Sequence, residues 1–181
     1  GTIERASELL PQFNHLKKIT LDNLYVGIKI IIIGLFLKSF IADSIAPFTD
    51  QIFINYSNFN GGTLLLGAIG FTIQIYGDFA GYSLIAIGVA KIMNFELMKN
   101  FNTPYFSISI QDFWRRWHIS LSSFFRDYVY IPLGGSRLSK MTTNRNLLVT
   151  FSVSGLWHGA NWTFIFWGIS HGVLLILQRI L

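Results

Sequence analysis

Long apolar runs separated by short polar stretches set the plan of this chain. Residues 24–45 (LYVGIKIIIIGLFLKSFIADSI) and residues 63–93 are each long enough to cross about 30 Å of hydrocarbon as a helix, and they predict two membrane spans. Residues 46–62 carry Pro47, Asp50, three asparagines and a Gly-Gly pair, with no Lys or Arg, and predict a loop between the spans. Residues 1–18 are polar and suit a short amphipathic surface segment. Ser109-Ile110-Gln111-Asp112 fits a capping box that starts a helix near Ile110. That helix can run to about Tyr130, where Pro132 and Gly134-Gly135 stop it, and residues 136–145 follow as a polar turn. Residues 146–181 are apolar again but are interrupted by Gly155-Leu156-Trp157-His158-Gly159-Ala160-Asn161. The stretch is too long for one comfortable span and too short for two. A broken or re-entrant helix is therefore expected, with its irregular backbone covered by protein or water.

Composition sharpens the class. Of 181 residues, 51% are hydrophobic and only 13% charged, and the mean hydropathy is +0.47. A soluble domain carries about 25% charged residues, so the fold class is all-α, a polytopic integral membrane protein. With no initiator Met and no cleavable leader before the first apolar run, the chain reads as a fragment of a larger protein. The absence of cysteine excludes disulfides and thiolate catalysis. The net charge of +5 does not indicate nucleic acid, because the basic residues flank apolar spans or sit among aromatics, where they meet membrane lipids. Their distribution puts residues 1–18 and 91–103 on the cytoplasmic side and residues 46–62 opposite.

Within this lipid-like background, residues 111–135 (QDFWRRWHISLSSFFRDYVYIPLGG) gather three arginines, a histidine and two aspartates among aromatics. Ionisable groups are costly in membranes and mark function or pairing. His158, beside Trp157 and Gly159 at the expected helix break, is the sharpest candidate. A neutral imidazole there can take a proton from a hydroxyl and activate it for acyl transfer; its plainer role is a hydrogen bond to a neighbouring helix carbonyl. On one continuous helix His118 would share a face with Trp114 and Leu121, orienting substrate or sitting in an aromatic belt. Arg115, Arg116 and Arg126 suit either an anionic donor or lipid phosphates, and Arg126 can also pair with Asp127 or Asp112. Asp78 lies mid-span and calls for a cation, Lys29 or an arginine. A zinc site from His118, His158 and His171 matches no ligand spacing, so no metal is expected, and His171 reads as a packing residue.

Two motifs carry a family resemblance. Phe113-Trp114-Arg115-Arg116-Trp117-His118-Ile119-Ser120-Leu121-Ser122, continued by Arg126-Asp127-Tyr128-Val129-Tyr130-Ile131-Pro132-Leu133-Gly134-Gly135, resembles the hallmark of bacterial membrane-bound O-acyltransferases. Leu156-Trp157-His158-Gly159-Ala160-Asn161-Trp162 is similar to the second hallmark, which holds the family's invariant histidine. The branch it resembles is that of the alginate O-acetyltransferase membrane subunit, related to peptidoglycan O-acetyltransferase and the teichoic-acid D-alanylation membrane protein. GTIERASELLPQF and residues 74–88 support this, with Thr2, Ala80 and Leu84 departing from the usual Pro, Ser and Asp.

The resemblance implies helices around a tunnel through the bacterial cytoplasmic (inner) membrane, with residues 1–181 part of one transmembrane domain that lacks N-terminal and C-terminal spans. It implies O-acyl transfer, of acetyl in this branch. His158 would be the catalytic histidine and His118 the second active-site position, an Asn in many eukaryotic members. Arg115, Arg116, Trp117, Trp157 and Asn161 are the expected donor and substrate contacts. The expected donor is acetyl-CoA, with no tightly bound cofactor. The acceptor is an exported or cell-wall polysaccharide, reached directly or through a periplasmic esterase-like partner protein. The competing readings are a transporter or channel segment and a scaffold of a polysaccharide export complex. The paired Arg-Trp-His and Trp-His-Gly motifs favour the enzyme.

Overall fold

The computed structural model describes residues 3–14 and 18–180 and divides into two compact units, residues 1–99 and residues 100–181. All regular structure among the described residues is helical.

The first unit is a long antiparallel hairpin. Helix α2 (Leu21–Leu35) starts where Thr20 Oγ1 accepts a hydrogen bond from the Asn23 N–H, widens into a π-helical segment over Phe36–Ala42, and continues as α3 (Asp43–Ile54). The expected loop at residues 46–62 is therefore mostly helix, and only residues 55–60 connect the two arms. Pro47 costs the helix one donor. Packing on the returning arm outweighs it: Thr49 and Ile52 are fully buried, and Thr49 Oγ1 bonds Ala46 O and Gln74 Oε1. That arm is α4 (Gly61–Ile92), capped by the Asn60 carboxamide on the Thr63 N–H. The arms meet backbone to backbone. A Cβ on Gly34 would lie 2.7 Å from Gly81 O, and one on Gly81 2.6 Å from Gly34 O. Small residues at such contacts are how helices approach closely in lipid, where packing replaces the hydrophobic drive.

Asp78 does find a cation, but it is Lys38, which bridges Asp78 (2.5 Å) and Asp43 (2.9 Å). The Lys29 expectation is overturned because its ammonium lies over the Tyr25 ring, 4.0 Å from the centroid. At the other end of the hairpin, helix α1 (Ala6–Phe13) ties to the chain leaving α4. Gln12 exchanges two 2.9 Å hydrogen bonds with the Glu96 backbone, and the Phe13 and Phe95 rings lie 4.9 Å apart. Residues 3–14 and 93–98 thus share one end and residues 55–60 the other, the topology expected from the charge distribution. His15 and Lys17 lie outside the described residues.

The second unit contains α5 (Ile110–Arg116), α6 (Ile119–Phe125) continuing through a π-helical turn over Arg126–Tyr130, α7 (Lys140–His158) and α8 (Trp162–Ile180). Helix α7 takes in the last six residues of the expected polar turn, because Ser139 Oγ accepts from the Thr142 N–H. The fully buried Asn146 carboxamide donates to Leu133 O (3.0 Å) and Gly135 O (3.1 Å), fixing the Pro-Leu-Gly-Gly turn against α7. The interruption falls at residues 159–161, where the Asn161 side chain accepts from the Thr163 N–H at 3.1 Å, and α8 folds back on α7. Gly155 and Gly168 admit the facing helix so closely that a Cβ on either would strike a backbone carbonyl.

Three stretches among the described residues are long and apolar enough to cross a bilayer: Leu21–Ile54, Gly61–Ile92 and Trp162–Ile180. Their outward faces are apolar; Ile32, Leu65 and Phe166 are each about 60% exposed. An outer surface of this kind is solvated by lipid, and the chain is a membrane protein.

Candidate active site

The site begins at a break the sequence did not announce. The helix capped by Ser109 stops at Arg116, and His118 takes φ 42°, ψ 57°, the left-handed conformation, before α6 resumes at Ile119. The expectation of one continuous helix to Tyr130, with His118 on the face of Trp114 and Leu121, is corrected accordingly. The buried Asn100 supplies the bonds that the helix gives up. Its carbonyl accepts from the Ile119 N–H (2.9 Å), and its carboxamide oxygen accepts from Ser120 Oγ (2.6 Å) and the Ser120 N–H (3.3 Å). The Asn102 N–H donates to Arg116 O at 2.9 Å on the other side of the break. The kink is thus an imposed feature, and it turns His118 into a cavity.

That cavity measures about 590 Å³ and is lined by residues of the second unit, among them His118, His158, Arg115, Trp117 and Trp114. His158 closes α7, with its ring 5.3 Å from that of Trp167 at 80° and 6.4 Å from that of Phe164. Behind them stands an aromatic wall, the Trp114 ring lying 5.1 Å from Phe151, 5.8 Å from Trp167 and 5.0 Å from His171. Burial holds His118 down to about 4, with the nearby His158 a smaller contributor, and burial lowers His158 below the ordinary histidine value. Both rings are therefore neutral at pH 7 and able to accept a proton. No Asp or Glu lines the cavity among the described residues.

The structure gathers His118, His158, Arg115 and Trp117 and leaves the other expected contacts elsewhere. Arg116 pairs with Asp112 at 2.9 Å and holds that carboxyl below its usual range. Trp157 is 61% exposed and packs on Phe124 and Phe125 outside the cavity, and Asn161 caps α8. Arg126 lines the cavity while paired with Asp127 at 2.8 Å. His171 packs between Trp114 and Trp167 and does not join the two cavity histidines, and no group of three His, Cys, Asp or Glu among the described residues could hold a metal. Sequence reasoning missed Asn100, Ser120, Gln178 and Arg179. Ser120 sits inside the first motif but its partner Asn100 lies 20 residues away, and Asn100, Gln178 and Arg179 belong to no local motif.

Residues 5–181 match the family model of MBOAT, the membrane-bound O-acyltransferase family. The chain belongs to that family. Across its whole length it is 50% identical to the probable alginate O-acetylase AlgI of Azotobacter vinelandii, covering 36% of that protein. It is 44% identical over 99% of its length to the peptidoglycan O-acetyltransferase of Helicobacter pylori, 34% of which is covered. With the teichoic acid D-alanyltransferase of Bacillus subtilis it shares 35% identity over 85% of the chain and 41% of that protein. The chain thus spans about a third of the curated relatives it matches. The two motifs that carry the family resemblance each contribute a histidine to this cavity, although 40 residues of sequence separate them.

Proposed function

We propose that the full-length protein is a membrane O-acyltransferase, specifically an O-acetyltransferase of the bacterial inner membrane. It moves an acetyl group from a cytoplasmic thioester such as acetyl-CoA to hydroxyls of an exported or cell-wall polysaccharide. Transfer is direct or runs through the serine of a periplasmic partner protein. Residues 1–181 form part of a single transmembrane domain whose other spans complete a tunnel through the bilayer. One observation carries the reading: two imidazoles, neutral at pH 7, share a cavity that no carboxylate lines.

The chemistry follows from that arrangement. His158 accepts the proton of the acceptor hydroxyl as the oxygen attacks the thioester carbonyl carbon. The new C–O bond forms, the C–S bond breaks, and the proton passes from the imidazolium to the departing thiolate. His118 lies beside His158 and orients the reacting groups, and Trp167 fixes the His158 ring from the side. The relatives named for alginate and peptidoglycan acetylation support acetyl as the group and polysaccharide as the acceptor. Mass analysis of the host's polysaccharides with and without the gene tests this directly. Loss of O-acetyl groups is expected on deletion; an unchanged acetyl content would point instead to a transport or scaffold role.

A further inference from the structure

The midpoint of the first unit carries charge that its own residues do not balance. Lys38 lies halfway along the apolar stretch Leu21–Ile54, and Asp78 halfway along Gly61–Ile92. The single ammonium is shared by Asp43 and Asp78, so ionised carboxylates outnumber cations by one. Within this unit, neither carboxylate has a partner besides Lys38 among the described residues. Both are nonetheless open to the surroundings, each 52% exposed. A net charge at that depth is costly against lipid tails, and such groups face protein or water.

The backbone itself assembles this group. Residues five apart point to different sides of an α-helix. The π-helical segment over Phe36–Ala42, where the Asp43 N–H donates to Lys38 O, brings Lys38 and Asp43 together instead. Widened turns of this kind are rare and recur at functional sites. On the returning arm, Phe71, Ile75, Asp78, Tyr82 and Val89 are all exposed and follow one another at spacings of four, three, four and seven residues. That is the seam along which one helix packs on another at a shallow angle, with Asp78 at its middle. Gly77, Gly81 and Gly88, which admit the first arm, each stand one position before a residue of this seam. The seam therefore borders the hairpin contact and is not consumed by it.

Charge decides the occupant. Lipid tails offer no counter-charge. A second copy of the chain, joined through this face by a two-fold axis, would set like charge against like. A membrane-spanning helix with one Lys or Arg at mid-depth both fills the seam and neutralises the group. The curated relatives are about three times as long as this chain, which leaves room for such a helix in the full-length protein. We infer that the Phe71–Val89 face of α4, with the Lys38–Asp43–Asp78 group at its centre, is the docking surface for a span of the full-length protein outside residues 1–181 that sets one Lys or Arg against Asp78. This docking holds or fails without the acyl-transfer reading.

The experiment places photoreactive benzoylphenylalanine at Tyr82 of the full-length protein in its native membrane and maps the adduct by peptide mass spectrometry. Should that variant fail to accumulate, the same group at Phe71 reads the same face. An intramolecular adduct is expected, to an apolar segment outside residues 1–181 with a Lys or Arg within one turn of the crosslinked position. Changing that cation to Gln should lower membrane accumulation several-fold, and so should Asp43→Asn alone, because each leaves one charge unmatched. The two changes together restore the balance and should return accumulation to near the wild-type amount. Adducts to lipid alone, to residues 100–181, to a second copy or to a separate subunit would overturn the assignment. So would a contacted segment without Lys or Arg, or a double variant no better than the single ones. Labelling of Ile75→Cys by a membrane-impermeant maleimide, in a cysteine-free background, would overturn it as well, because the seam would then face water.

Discussion

His118 occupies a backbone region that costs an ordinary L-residue about 1–2 kcal/mol, and Asn and Gly tolerate it best. The strain is sustained by the three hydrogen bonds that Asn100 accepts, and it delivers an imidazole to the cavity. His118→Gly should therefore raise thermal stability by about 1 kcal/mol in detergent while lowering acetyl transfer. His118→Asn should keep the fold, which agrees with the Asn that the family resemblance places here. pH supplies a second residue-scale prediction. A histidine whose folded value lies below its unfolded value leaves stability untouched above pH 6.5 and erodes it as pH falls from about 6.5 toward 4, because the unfolded chain binds the proton first. The same burial keeps His158 neutral, so the acid limb of kcat/KM should lie below pH 6.5. An acid limb at or above 6.5 would remove burial from the account. At this scale the sequence singled out Arg115, Trp117, His118 and His158 by residue type and context, and all four line one cavity. Arg116, Trp157 and Asn161 share those motifs and yet lie outside the cavity, because motif adjacency does not say which way a side chain points.

At the level of elements the helix start at Ser109 was legible because its cap is local, whereas the start at Ser139 was hidden in a stretch that read as a polar turn. Thr20, Asn60, Ser109 and Ser139 each accept from an N–H three residues on. Two elements were not legible. Pro47 and its flanking polar residues read as a loop, yet Thr49 and Ile52 pack against α4 and hold the helix through it. The break at His118 was hidden for the opposite reason: residues 110–130 read as a good helix, and the Asn100 clamp that breaks it lies outside that stretch. Asn100→Ala keeps the backbone carbonyl that accepts from Ile119 but should leave the Ser120 N–H and hydroxyl without their acceptor, cost about 1–3 kcal/mol, and reduce acetyl transfer by loosening His118. Thermal unfolding together with kcat of the full-length protein checks this, and a variant with wild-type kcat would deny the clamp its role. Gly81→Ala should separate α2 from α4 and lower stability by about 1–3 kcal/mol.

The whole molecule reads as lipid-solvated helices that present a few buried polar groups. Half of its residues are hydrophobic, and long stretches of the helical surface are apolar. Class and topology were accordingly clear from hydropathy and the placement of Lys and Arg. The partner of Asp78 was not, since pairing across a hairpin depends on register. Lys38 neutralises part of a group that carries two carboxylates midway along the spans. Lys38→Met should lower the amount of protein in the membrane fraction several-fold, and Lys38→Arg should restore it. Immunoblotting of membrane fractions reads both. The central claim, that the cavity transfers acyl groups through His158, is tested most directly by His158→Ala in the full-length protein, with acetyl transfer and membrane accumulation measured together. The account predicts that transfer falls at least about a hundredfold while the protein inserts and accumulates as wild type does; transfer at the wild-type rate in that variant would contradict it.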